Sequence, residues 1–96
     1  MDMNNIDLKA MMTSLMQNAQ KMQENMRDKI VTGCAGGDLV VVDVNLKMQV
    51  TRLALAPALF AEKPEVISEL VMGAVNQALQ NAEQMLKKEI GGNFGL

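Results

Sequence analysis

The chain has 96 residues, 49% hydrophobic and 21% charged, with a formal net charge of −2. That is one small domain with a modest core, and its apolar content excludes a disordered chain. Histidine is absent and Cys34 is the single cysteine, which removes the commonest metal ligand, the usual neutral-pH general base and any internal disulfide, and fits a reducing compartment.

The start, MDMNNID, has no basic run and no apolar stretch, so no signal peptide is expected. The longest uncharged apolar run, Leu53–Ala61, is interrupted by Pro57 and is far shorter than the roughly 20 residues of a membrane helix. A soluble cytoplasmic protein with no membrane partner is the expectation.

From residue 4 to 30, Leu8, Met12, Leu15, Ala19, Met22, Met26 and Ile30 recur at helical spacing, a continuous apolar stripe opposed by a polar face of Lys, Gln, Asn and Glu. The spacing predicts a helix over about 7–29, with Asn4, Asn5 or Asp7 as cap and Gly33 ending the helical run. At 1.5 Å per residue it would be roughly 34 Å long, longer than strands of about 17–20 Å can cover. Part of the stripe must therefore find another partner. Its many methionines could form an adaptable binding surface, but ordinary core or interface packing is the simpler reading.

Gly33–Asp38, GCAGGD, reads as a turn. It has neither a phosphate-loop pattern nor a following helix, and Cys34 has no histidine partner and no local cation to activate it. Residues 30–56 are the sheet-forming stretch. Val40, Val42 and Val44 alternate with Leu39, Val41 and Asp43, Met48–Leu55 forms a further strand, and a short first strand over 30–34 completes three. The hairpin falls near Asn45-Leu46-Lys47. Pro57 stops the last strand, with a short helical turn expected around Leu59-Phe60.

Pro64 opens a second helix over 64–90, with Glu65 and Glu69 near its positive end. Its stripe is Ile67, Val71, Ala74, Ala78, Ala82, Met85 and Ile90, with small residues that permit close backbone approach. Lys87 and Lys88 fall in the last turn and Gly91-Gly92 reads as the stop. The fold class is thus α+β, a single domain over 1–96: long helix, small three-stranded antiparallel sheet, long helix. One chain cannot bury both stripes and both sheet faces, which implies a symmetric homodimer. Leu15, Met22, Met26, Val41, Val71, Ala74 and Ala78 are the candidate core and dimer residues.

No catalytic constellation emerges. Glu62, Glu65 and Glu69, or Asp38 and Asp43, read as solvated positions rather than an acid–base pair, and no metal or cofactor site is expected. The remaining candidates are clustered cations: Lys21, Arg27 and Lys29 at the end of the first helix, Arg52 on the sheet, Lys87 and Lys88 at the end of the second. The plain alternative is that the two last lysines complement the helix dipole and the others solubilise. An isoelectric point near 5.0 gives no global signature of a nucleic-acid binder.

LMQNAQKMQENMRDKIVTG (Leu15–Gly33), GDLVVVDVN (Gly37–Asn45) and VTRLALAPALF (Val50–Phe60), in that order and spacing, resemble the YbaB/EbfC family of bacterial nucleoid-associated proteins. The resemblance extends through nearly the whole chain, including Asn76. It implies an α-β-α protomer in an intertwined homodimer with helices projecting like tweezer arms. It also implies low-specificity binding of double-stranded DNA, no enzymatic activity, a nucleoid location and a role in chromosome organisation or gene expression. Carried over, it makes Lys21, Arg27, Lys29, Lys87 and Lys88 phosphate contacts. The chain departs from the family pattern at Asn45-Leu46, where Asn-Gly is usual, at Ala56-Pro57 in place of Asp-Pro, and in its acidic start. The other reading is accordingly a dimeric adaptor that binds another protein.

Overall fold

The computed structural model describes the backbone of residues 2–93 and the side chains of residues 7–89. The last three residues and the side chain of Ile90, which the predicted second stripe includes, lie outside these ranges.

The predicted order of elements is the observed one. Helix α1 (Asp2–Asp28) leads into strands β1 (Ile30–Ala35), β2 (Val40–Asn45) and β3 (Val50–Leu55). A 3-10 turn over Pro57–Ala61 precedes helix α2 (Pro64–Asn93). The strands form one antiparallel sheet in the order β1-β2-β3.

The core lies between the sheet and α2. Val40, Val42 and Val44 are wholly buried, as are Ala74, Ala78 and Ala82, one small residue per turn of α2. Alanine at these positions lets the helix backbone come down onto the sheet. Gly33 carries this furthest: a Cβ there would lie 2.5 Å from the Ala74 carbonyl oxygen and 2.8 Å from Ala78 Cα. Gly33 therefore belongs to β1 rather than ending a helix or opening the turn. The turn itself is narrower than expected, with Gly36 (φ 62°) and Gly37 (φ 69°) taking the left-handed backbone that glycine adopts freely.

The second hairpin turns where expected, between Asn45 and Val50, and its positive φ falls on Met48 (62°). Asn45 is the organiser of the loop. Its Oδ1 accepts the Lys47 and Gln49 N–H groups at 3.0 Å each, and its Nδ2 donates to Gln49 Oε1 at 2.9 Å. Leu46, a poor turn residue by type, is buried and donates its N–H to the Met26 carbonyl at 2.9 Å. It is the plug that seats the end of α1 on the sheet.

Both helices run further than their end signals indicate. Asn4, Asn5 and Asp7 lie inside α1 rather than at its start. Gly91 and Gly92 are helical, since glycine costs about 1 kcal/mol in a helix and is a penalty rather than a stop.

Helix α1 finds little to pack on within its own chain. Leu8, Met12, Leu15 and Met22 are each more than half exposed, and Met26 is the member of the stripe that packs against the core. The molecule is accordingly elongated, 73 × 25 × 16 Å with a radius of gyration of 20.0 Å, where a compact chain of this length would have about 12–13 Å.

Candidate nucleic-acid interface

The six candidate cations occupy three places. Lys21 stands on α1, on the wall of a cleft of about 430 Å³. Met22, Met26, Leu46 and Leu86 line its apolar part, while Asn18, Asn25, Lys29 and Glu89 add polar groups. The cleft lies where the last turns of α1 meet Leu46 and the end of α2.

Lys29 and Glu89 form an ion pair across this cleft, tying the end of α1 to the end of α2. Sixty residues separate them in sequence, and no local pattern announces the pairing. Arg27 lies 3.8 Å from its neighbour Asp28, on the exposed side of the last turn of α1.

Arg52 projects from β3 on the sheet face turned away from α2. Its Nε donates to Asp43 Oδ2 at 2.8 Å, and Thr32 donates its hydroxyl to Asp43 Oδ1 at 2.8 Å. One carboxylate thus bridges all three strands. The Arg52 guanidinium, with help from the Thr32 hydroxyl, holds the Asp43 carboxyl below its ordinary range. Arg52 is therefore engaged in holding the sheet.

Lys87 pairs with Glu83 one helical turn back at 3.7 Å, both well exposed; such pairs are worth about 0.3–0.5 kcal/mol. Lys88 turns to another side of α2, where Val31, Asn81, Gln84 and Met85 surround a shallow hollow. Among the described residues, Lys21 and Lys88 have no carboxylate within ion-pair distance. Lys9, further out on exposed α1, is likewise without an ion pair among the described residues. It stands apart from the cation clusters in sequence, so clustering gives no signal for it.

The structure brings Lys21 and Lys29 together on one cleft, joins Lys29 to the α2 end that carries Lys87 and Lys88, and leaves Arg52 apart on the sheet. Of the candidate core and dimer residues, Ala74 and Ala78 are buried, Val71, Val41 and Met26 are half-buried, and Leu15 and Met22 are exposed. No group of three or more His, Cys, Asp or Glu side chains among the described residues is placed to hold a metal ion.

The family model for the YbaB/EbfC DNA-binding family matches residues 1–95. The chain belongs to the YbaB/EbfC DNA-binding family. A nucleoid-associated protein of Bordetella avium, BAV0915, is 40% identical over 83 residues, covering 79% of this chain and 77% of that protein. A nucleoid-associated protein of Legionella pneumophila (strain Corby) is 32% identical over 92 residues, covering 88% and 82%. The crystal structure of uncharacterized protein HP0035 from Helicobacter pylori superposes with a TM-score of 0.71 over 91% of each chain at 23% identity, a likeness that speaks to the fold. The YbaB/EbfC fold in this chain thus sets Lys21 and Lys29 on the cleft, Lys87 and Lys88 on the end of α2, and Arg52 apart on the sheet.

Proposed function

We propose that this protein is a homodimeric, nucleoid-associated binder of duplex DNA with little sequence preference, acting on phosphates through cations of α1 and the end of α2. The observation that carries this reading is the family match over residues 1–95. The exposed stripe on α1 supports the dimer, since Leu8, Met11, Met12, Leu15 and Met16 are each more than half exposed in the protomer, more apolar surface than an isolated soluble chain leaves open. The placement of Lys21, Lys29, Lys87 and Lys88 around the adjoining helix ends supports a backbone-directed mode, because point cations on mobile stems neutralise phosphates without reading base edges.

Salt-dependent binding tests the function. Affinity for unrelated duplexes of equal length should be similar and should fall steeply with salt, log K dropping by about 0.9 per log unit for each phosphate neutralised. Absence of any complex at low salt and high micromolar protein would refute DNA binding. Nuclease-resistant capture of one protein would then favour the adaptor.

A further inference from the structure

Two groups of polar side chains beside the sheet are already engaged. On α2, Gln77 Oε1 accepts the Cys34 N–H at 2.7 Å and Asn81 Nδ2 donates to the Thr32 carbonyl at 2.9 Å, so two amides one helical turn apart close the β1 edge. Asp43 is held by Arg52 and Thr32. The cleft between the last turns of α1 and the end of α2 is different. Asn18 and Asn25 line it and make no side-chain hydrogen bond among the described residues. Lys21 beside them has no carboxylate within ion-pair distance among those residues.

Helical spacing makes this cleft two-faced. Asn18, Lys21, Asn25 and Lys29 recur at steps of 3, 4 and 4 and share one edge of α1, with Met22 and Met26 beside them. Met26 packs on the core, while Met22 remains 57% exposed. Leu46 from the hairpin and Leu86 from α2 complete an apolar wall. The volume, about 430 Å³, falls within the roughly 300–1,000 Å³ of small-molecule sites, which are mostly apolar with a few polar groups. Unbranched thioethers adapt their shape and suit a flexible aliphatic chain. Charge decides the sign of the occupant. Lys29 and Glu89 neutralise each other across the cleft, which leaves Lys21 as an uncompensated positive charge in a chain of net charge −2.

We propose that this cleft binds a small amphipathic carboxylate. The aliphatic chain lies against Met22, Met26, Leu46 and Leu86, and the carboxylate pairs with Lys21. Asn18 and Asn25, one helical turn to either side of Lys21, supply further N–H donors to the same headgroup. A neutral apolar molecule would leave the Lys21 charge unused, and an amphipathic cation would be repelled by it. The proposal goes beyond the DNA reading and does not rest on it, because a phosphodiester offers no aliphatic chain to cover the apolar wall.

Methionine-methyl carbon-13 labelling of the full chain reads the site directly, because Met22 and Met26 line the cleft. Titration with octanoate should move the Met22 and Met26 methyl resonances along one saturable curve. Met11, Met16 and Met72, exposed elsewhere, should stay in place. Octylammonium, which lacks the anion, and acetate, which lacks the chain, should bind more weakly. Lys21→Gln alters an exposed side chain and should keep its helical circular dichroism. It should weaken octanoate by about two- to fivefold, the worth of a solvated charge pair, and leave octanol unchanged. Shifts that never saturate, or that spread equally to Met11, Met16 and Met72, report adsorption to the open apolar face of α1 and overturn the proposal. Octanoate affinity that survives Lys21→Gln, or that octylammonium matches, overturns it as well. So do Met22 and Met26 resonances that move with protein concentration alone, since a second copy then fills the cleft. Duplex binding by the same protein is a separate readout, so either reading can fail while the other stands.

Discussion

Gly33 and Gly73 show how one residue type carries opposite consequences. At Gly33 a methyl group would meet the α2 backbone at Ala74 and Ala78, which cannot swing aside as a side chain can. Gly33→Ala should cost about 1–3 kcal/mol, an overpacking penalty, read as a lower urea midpoint with an unchanged slope. At Gly73 the nearest atom to an added Cβ is the Ala35 methyl at 3.8 Å, an ordinary van der Waals distance, and the position is interior to α2. Gly73→Ala should therefore raise stability by about 0.5–1 kcal/mol through helix propensity. Asp43 gives a pH dependence of definite sign. Its carboxyl is held below the ordinary value of 3.8 by Arg52 and then by Thr32, so the unfolded chain takes up that proton first as the solution is acidified. The stabilisation is complete above the ordinary value and is lost as pH falls through the lower folded one. Wild type should exceed Asp43→Asn in urea midpoint by a constant margin from neutral pH to about pH 5, and the margin should shrink towards pH 3.

Among the elements, α1 is the one whose attachment is narrow. Leu46 fills the space beneath its last turns and bonds to the Met26 carbonyl, while Lys29 joins Glu89 at the exposed rim. The buried plug outweighs the solvated ion pair. Leu46→Ala should cost about 2–5 kcal/mol and speed amide exchange along the last turns of α1, whereas Lys29→Ala should cost less than about 1 kcal/mol. The two helices, the strand-forming valines and the alanine stripe of α2 are legible in sequence because each depends on a period of 2 or 3.6 within one segment. The excess of stripe over sheet is legible as well, and it is the exposed face of α1. What the sequence hides are meetings between distant segments. Gly33 signals a turn until α2 is laid across it, and Leu46 looks misplaced until the end of α1 rests on it. The closure of β1 by Gln77 and Asn81, and the pairing of Lys29 with Glu89, have no local pattern at all. The cation clusters are visible in the sequence, but which of those cations are already engaged by carboxylates is not.

At the scale of the whole molecule, an excess of acid coexists with a family whose model is one of DNA binding, so the distribution of charge matters more than its sum. A cation already held by a carboxylate must exchange that partner for a phosphate, and the displaced carboxylate then repels the duplex. Arg52, bound to Asp43 in the bridge across the strands, has most to lose by such an exchange. Lys21 and Lys88 have no ion-pair partner among the described residues and can meet a phosphate without that cost. The double reversal Lys21→Glu with Lys88→Glu should therefore weaken binding to unrelated duplexes by the same factor, and should lower the salt slope by about 0.9 for each phosphate no longer neutralised. Arg52→Gln should leave the slope within error of wild type while lowering the urea midpoint, because its charge serves Asp43 rather than DNA. Fluorescence anisotropy across a salt series with labelled duplexes, alongside urea unfolding of the same three proteins, measures both quantities. A slope that falls with Arg52→Gln and not with the double reversal would move the DNA-binding surface from the helix ends to the open face of the sheet.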